Sequence, residues 1–222
     1  IWSSSDEDIA TVDDNGRVEA LSTGSTYIAA TAVDGRKTAV CRVDVVIKAD
    51  GLTLDSRSLT LTAGQSRTVK ADVSPAEATD KTVTWTSSDT KVVTVTSKGI
   101  VRAVAPGKAI VKAKTAEGQS AAVTVTVKPE KTSITLKAGK KSATVKYKKV
   151  KGVTGYQIYR ATSKNGKYTK VTTRSASKSS TYKNTKLKAK KTYWYKVRSY
   201  KIAGNTKIYS EFSAVKKVKT KR

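Results

Sequence analysis

The sequence predicts an all-β protein made of successive small antiparallel domains. Polar and apolar residues alternate with a period of two, as over 68–73 and 122–127, and no segment shows the 3.6-residue period of an amphipathic helix. Thr and Val, which are branched at Cβ and favour strands, dominate these runs. Turn-forming residues separate them at intervals of about eight to twelve residues, which is typical of a β-sandwich or barrel.

A repeat with an offset of 83 residues indicates a duplicated domain. The segment Trp2–Asp6 (WSSSD) matches Trp85–Asp89 (WTSSD). The same offset aligns further identical residues: Thr11, Val12, Gly16, Val18, Ala20, Gly24, Ala30 and Gly35. After Gly35 the offset becomes 82. The first copy has no counterpart of residues 51–83, so we expect residues before Ile1, or a strand from another chain, to complete it.

Charge divides the chain into three predicted domains. Residues 1–47 carry eight acidic and four basic side chains, residues 48–129 carry seven and twelve, and residues 130–222 carry two and 28. Nine of the ten tyrosines also lie in the last block. We therefore predict a partial domain over 1–47, a complete one over 48–129 and a basic one over 130–222.

Residues 1–128 resemble the bacterial Ig-like group 2 (BIG2) domain. The resemblance is carried by a set of motifs in the second copy: Trp85–Asp89, Val93–Val95, Gly99–Val101, Gly107 and Val123–Val127. It implies tandem Ig-like β-sandwiches, the first partial and the second complete. It also implies a bacterial surface or secreted protein, or a phage particle, and no catalytic residues.

The last block resembles a fibronectin type III (FN3) domain. Leu187 and Tyr193 stand six residues apart in a pattern similar to the tyrosine corner, in which a Tyr hydroxyl binds backbone at the turn between sheets. Tyr147 takes the early strand position where the family usually has Trp. The Asn165-Gly166 pair between two β-rich runs favours a hairpin. The resemblance implies a third sandwich over 131–220.

Composition argues against catalysis and cofactors. The chain has no His and a single Cys, so it lacks an imidazole base and any multi-Cys zinc site. No run approaches the roughly 18–20 apolar residues that a membrane span needs. The acidic residues of 6–8 and 13–14 could bind Ca²⁺, but the second copy lacks them, which favours solvated loop charge. We predict no enzyme activity, no cofactor and no metal.

Three residues of the Ig-like copies are predicted to be core residues. Cys41 takes the apolar register that Val123 takes in the second copy, which predicts a small buried hydrophobe rather than a reactive thiol. Trp2 and Trp85 align with each other on the strand that carries the core Trp of Ig-like sandwiches. Core packing is therefore expected for both, rather than ligand stacking.

A candidate binding face is predicted on the third domain. If Tyr193 points inward, strand alternation places Trp194, Lys196 and Arg198 on the outer face. Tyr159 points outward on the strand expected beside them. These aromatic and cationic residues could stack on sugars or on a partner. The alternatives are contact with a neighbouring domain and aromatics shielded by Lys stems.

The 28 cations of the last block create a positive field that favours polyanions. No nucleic-acid motif is present, so binding of nucleic acid would be non-specific. The expected partners are an anionic cell-wall polymer or carbohydrate and upstream domains of the same polypeptide, and the expected location is the surface of a Gram-positive bacterium. Three functions remain: a spacer or adhesin segment, a wall-anchoring module, and accessory domains of an exported enzyme such as a glycoside hydrolase or peptidase. Phage virion decoration is a further alternative.

Overall fold

The computed structural model describes residues 1–222 and contains strands, turns and loops but no helix. The chain is all-β, as the alternating pattern predicted, and it consists of Ig-like sandwiches, as the family resemblance implied. The chain accordingly forms no helix with the length and hydrophobicity that a membrane crossing requires.

The first copy forms two small antiparallel sheets. Its strands are β1 (Trp2–Ser4), β2 (Ala10–Val12), β3 (Val18–Ala20), β4 (Gly24–Thr31) and β5 (Thr38–Val45). One sheet has the order β1-β4-β5 and the other pairs β2 with β3. The strand β5 pairs along its whole length with β4 and has no partner on its other side.

The second copy repeats these strands and adds four at its beginning. Its strands are β6 (Gly51–Leu54), β7 (Ser58–Thr62), β8 (Ser66–Thr68), β9 (Ala71–Ser74), β10 (Val83–Ser87), β11 (Val93–Val95), β12 (Ile100–Ala103), β13 (Gly107–Thr115) and β14 (Ser120–Lys128). The sheets have the orders β10-β13-β14-β7, β11-β12-β8 and β6-β9. The added strand β7 runs parallel to β14, and β8 extends the sheet of β11 and β12.

Alternating side chains of these strands form the core of the second copy. Val123, Val125 and Val127 of β14 are fully buried, and they pack with apolar residues of β7 and β11–β13. The intervening Thr124 and Thr126 face outward, as period-two alternation requires. Trp85 packs against the edge of this core and remains partly exposed.

The predictions that Trp2 and Cys41 are buried were wrong. Trp2 is 40% exposed and Cys41 is exposed, although their counterparts Trp85 and Val123 contact or join the core of the second copy. In the second copy, β7 extends one sheet and supplies Leu59 and Leu61 to the core, while β8 extends the other sheet and leads into the buried Val69. No strand of residues 1–47 has the position of β7 or β8, so the apolar face of β5 stays open to solvent.

The third domain has two sheets that enclose an aromatic-rich core. Its strands are β15 (Ile134–Gly139), β16 (Ser142–Tyr147), β17 (Gly155–Ala161), β18 (Thr169–Ser175), β19 (Thr181–Asn184), β20 (Thr192–Ala203), β21 (Thr206–Tyr209) and β22 (Lys216–Lys219). The sheets have the orders β15-β16-β19 and β18-β17-β20-β21, with β22 also paired to β20. Tyr147, Tyr156, Tyr193 and Tyr195 fill the space between them. This arrangement is FN3-like.

The chain divides into two compact units. The first unit comprises Ile1–Thr53, Ala71–Thr84 and Ala113–Ala121, and the second comprises Leu54–Lys70, Trp85–Lys112 and Ala122–Arg222. Both large cores lie in the second unit. Because the strands β10, β13 and β14 have residues in both units, this division does not test the boundaries after residues 47 and 129, which stay a prediction.

Candidate functional site

The buried tyrosines fix the frame of the third domain. Leu187 and Tyr193 are each 5% exposed, and the backbone N–H of Lys188 donates a hydrogen bond to the Tyr193 hydroxyl at 3.1 Å. This is the geometry of a tyrosine corner. Tyr147 lies with its ring 4.3 Å from the ring of Tyr156, and burial raises the pKa of both hydroxyls. These contacts hold β20 in the register that determines its outer face.

The residues of the predicted face lie in one row of side chains on β17 and β20. The antiparallel register places Tyr159 opposite Lys196 and Gln157 opposite Arg198. Trp194 lies at the end of the row, opposite Ala161. Alternation along β20 keeps the buried tyrosines on the inner side. Trp194, Lys196 and Arg198 therefore share the outer face with Tyr159, and each is half-buried rather than fully exposed.

Arg198 is the centre of this face. Its Nε donates to Oε1 of Gln157 at 3.0 Å, and its Nη2 donates to the hydroxyl of Tyr159 at 2.9 Å. The guanidinium carbon lies 3.8 Å from the ring centroid of Tyr209, a close cation–π contact. A guanidinium has five N–H donors, so three remain without a protein acceptor. Arg198 is thus held in one orientation while keeping donors for an anion.

Lys196 is held between two rings. Its Nζ lies 4.2 Å from the ring centroid of Phe212 and 4.4 Å from that of Tyr168. Phe212 also contacts Tyr159 edge to face at 5.1 Å. Partial desolvation raises the pKa of the Tyr168 hydroxyl, which donates to the backbone oxygen of Lys164 at an exposed position. The ammonium group has no hydrogen-bond acceptor in the protein, and its two aromatic neighbours orient it.

Sequence reasoning missed four residues of this face: Gln157, Tyr168, Tyr209 and Phe212. Gln157 lies two residues before Tyr159 on β17, and it is 4% exposed because Arg198 and Tyr159 bind its side chain. The other three lie at strand ends or in loops, where no periodic pattern assigns a direction. The available signal was the composition of the segment Tyr209–Phe212, which contains the only Phe of the chain.

Trp194 stands apart from the network around Arg198. It makes no ring–ring or cation–π contact in the structure, and its neighbour across the other edge of β20 is Lys217. Its half-exposed indole is therefore the ring of this row that is free to stack on a ligand. We refer to Tyr159, Trp194, Lys196, Arg198 and Phe212 as the cation–aromatic face.

A cleft of about 510 Å³ opens beside Arg198. Four cationic side chains and one carboxylate, that of Glu211, line it; the cations are Lys108, Lys128, Arg198 and Lys207. Lys128 and Glu211 form an exposed ion pair at 3.6 Å. The excess of positive charge makes the cleft a place for an anionic group, and the neighbouring rings of Tyr209 and Phe212 supply an apolar wall.

Ion pairing does not neutralise the third domain. The structure has two salt bridges, Arg42–Asp44 and Lys128–Glu211, and neither includes any of the 28 cations of residues 130–222. In the first copy, the carboxylates of Asp6 and Asp13 accept backbone N–H groups of their own turns. The structure contains no cluster of three His, Cys, Asp or Glu residues that could hold a metal ion.

Comparison with known protein families gives a match over more than half of the chain. The model of the bacterial Ig-like domain (group 2) matches residues 1–43 and 48–127. The two matched segments correspond to the two copies detected by the internal repeat.

Two curated relatives share parts of this chain. An Ig-like virion protein of Serratia phage KSP90 is 37% identical over 122 residues, which are 53% of this chain and 47% of that protein. A lacto-N-biosidase of Bifidobacterium bifidum is 49% identical over 83 residues, which are 37% of this chain and 7% of that protein. The chain thus spans less than half the length of either relative.

Among solved structures, the FN1–FN3 domains of chicken CNTN1 are similar, with a TM-score of 0.38 and 15% identity. The similarity covers 92% of this chain and 81% of that one.

Proposed function

The chain belongs to the bacterial Ig-like domain (group 2) family, and we propose that it is a non-catalytic accessory segment of a bacterial surface or secreted protein. In this proposal the Ig-like copies serve as spacers. The third domain attaches the segment to an anionic cell-envelope polymer or carbohydrate through the cation–aromatic face.

The observation that carries the proposal is the geometry of Arg198. Two hydrogen bonds and the ring of Tyr209 fix the guanidinium, while three of its donors have no protein partner. A planar guanidinium with free donors suits carboxylate and phosphate oxygens. The half-exposed Trp194 in the same row could stack on a sugar ring. A charged carbohydrate would use both features.

The test is retention of the 222-residue chain on isolated Gram-positive cell walls, before and after their anionic polymers are removed. We expect retention on intact walls and loss on stripped walls or at high salt, because exposed charges are screened. Arg198→Gln should lower retention at least about fivefold, since it removes a charge-assisted contact. Trp194→Ala should lower it on intact walls without changing the thermal midpoint.

The matched control is Lys164→Gln, which removes one exposed charge in the turn after β17. This variant should bind like the parent chain. Equal retention on intact and stripped walls would contradict a role for the cation–aromatic face. Equal loss of retention in Lys164→Gln and Arg198→Gln would contradict it as well.

A second candidate function is an accessory region of an exported carbohydrate-active enzyme. The 49% identity to part of a lacto-N-biosidase favours it, because that protein carries a similar Ig-like stretch in 7% of its length. A third, virion decoration, is favoured by the similarity to the phage protein. The complete open reading frame of the parent protein discriminates among these candidates, since a catalytic domain or a virion protein would be encoded beside this segment.

A further inference from the structure

Three loops of the third domain meet at one end of its sandwich. The N–H of Lys141, in the hairpin between β15 and β16, donates to the carbonyl of Lys221, and the N–H of Leu187 donates to the carbonyl of Lys141. Thr220 is 3% exposed, and its hydroxyl donates to the carbonyl of Lys188 at 2.6 Å. These hydrogen bonds join the hairpin, the loop before β20 and the segment after β22 into one surface.

This joined surface carries a dense group of lysines. We call it the lysine pole, and it consists of seven exposed residues: Lys140, Lys141, Lys186, Lys188, Lys190, Lys191 and Lys221. The domain's two carboxylates lie elsewhere, Glu211 in a pair with Lys128 and Glu130 before the first strand. No ion pair therefore reduces the charge of the pole. The residues of the three loops, 139–142, 186–191 and 219–222, include no aromatic side chain.

Three of these lysines have backbone angles that Lys rarely adopts. The φ angles of Lys141, Lys186 and Lys190 are 41°, 57° and 53°, in the left-handed region that Gly or Asn occupies at lower cost. A turn alone would be better served by Gly at these positions. Placing Lys there instead adds exposed positive charge to the same surface, and strained residues of this kind concentrate at functional positions.

We propose that the lysine pole is a second binding site, separate from the cation–aromatic face, for a linear polymer with phosphodiester groups in its backbone. Ammonium groups bind phosphates as point charges and need no fixed planar geometry, so clustered lysines suit a flexible chain of phosphates. The pole has no aromatic platform on which nucleobases could stack. These features favour a polyol-phosphate polymer over single-stranded nucleic acid.

The experiment measures binding of labelled poly(glycerol phosphate) to the 222-residue chain by fluorescence anisotropy at several NaCl concentrations. A pole variant changes Lys140, Lys141, Lys188, Lys190 and Lys191 to Gln. A control variant changes five other exposed lysines of the same domain to Gln: Lys164, Lys167, Lys170, Lys178 and Lys183. Both variants lose the same net charge, so the comparison separates a localised site from the overall field.

We expect the pole variant to bind at least about tenfold more weakly, with a smaller salt dependence because fewer counterions are released. The control variant should lose no more than about threefold. Changing the five pole lysines to Arg keeps the charge and should retain binding. Binding by this variant would show that the Gln variant loses affinity through lost charge and not through misfolding. The pole variant keeps Arg198 and Trp194 unchanged, so a loss of poly(glycerol phosphate) binding in this variant reports on the lysine pole and not on the cation–aromatic face.

Other results would overturn the proposal. Equal losses in the pole and control variants would mean that the overall field binds the polymer without a localised site. Absence of binding by the parent chain would exclude a phosphate-polymer site altogether. Equal affinity and equal pole dependence for single-stranded DNA with the same number of phosphates would reject the preference for a polyol-phosphate polymer.

Discussion

The hydroxyl of Tyr193 accepts a hydrogen bond from the N–H of Lys188, in a part of the domain where both Tyr193 and Leu187 are buried. We expect Tyr193→Phe to lower the free energy of unfolding of the third domain by about 1–2 kcal/mol, because the partly buried N–H loses its acceptor. The measurement is urea unfolding of the whole chain.

The control for this change is Tyr168→Phe. The Tyr168 hydroxyl donates to the backbone oxygen of Lys164 at an exposed position, where water can replace it. This control should cost less than about 0.5 kcal/mol. If the two variants lost equal stability, the hydrogen bond of Tyr193 would not be a specific support of the fold.

The type of residue at a repeated position does not by itself determine whether its side chain is buried. Trp2 and Trp85 occupy equivalent positions and lie against equivalent glycines, Gly16 and Gly99, yet Trp2 is 40% exposed while Trp85 packs against a core. The repeat predicted which residues pair locally. It could not predict burial, because burial depends on strands such as β7 and β8 that have no counterpart in residues 1–47.

The turn between β11 and β12 shows why the repeat retains glycine. Gly99 has a φ of 73°, and a Cβ there would lie 2.4 Å from the carbonyl oxygen of Val69 and 3.0 Å from the ring of Trp85. Gly118 has a φ of 102° with no atom within 4 Å of the same position. A Cβ added at Gly118 would therefore meet backbone strain alone, whereas a Cβ added at Gly99 would meet backbone strain and a steric clash.

We expect Gly118→Ala to destabilise the second domain by about 1 kcal/mol, which is the cost of a left-handed residue with a Cβ. Gly99→Ala should cost about 1–3 kcal/mol more, because the β8–β12 backbone or Trp85 must move. Urea unfolding with Trp fluorescence measures both. Equal losses of unfolding free energy in the two variants would show that β8 and Trp85 move aside without an energetic cost.

Strands and local pairs were the parts of the fold that sequence could predict. Alternating Val and Thr indicated the buried side of β14 correctly, since the period of two has a direct geometric cause. The row Tyr159, Lys196 and Arg198 was predicted to share one face for the same reason. Tyr209 was missed because it is the last residue of the short strand β21, and Phe212 because it lies in a loop without periodicity. The position of Phe212 depends on how the chain folds back after β21.

The whole molecule has a strongly uneven distribution of charge. Residues 1–47 are acidic, whereas residues 130–222 carry 28 cations and two carboxylates and no cation there forms an ion pair. A compact domain with this charge repels itself, and unfolding relieves the repulsion by separating the charges. The third domain should therefore be less stable at low ionic strength than its core alone would allow.

Salt should consequently stabilise the third domain more than the second. Raising NaCl from about 10 to 300 mM shortens the screening length from roughly 30 Å to below 10 Å, so repulsion between exposed lysines is largely removed. In calorimetry of the whole chain, the unfolding transition of the third domain is the one that Tyr193→Phe shifts. We expect its midpoint temperature to rise by roughly 5 °C, which corresponds to about 1 kcal/mol. The midpoint of the second domain's transition, which Gly99→Ala shifts, should rise by less than about 2 °C, because residues 48–129 carry twelve basic and seven acidic side chains.

The variant with Gln at Lys164, Lys167, Lys170, Lys178 and Lys183 should show a smaller salt effect on the third domain than the parent. A salt response that was equal in both transitions, or unchanged in that variant, would mean that the lysines are too well hydrated and too far apart to destabilise the fold. In that case their charge would act only on binding partners.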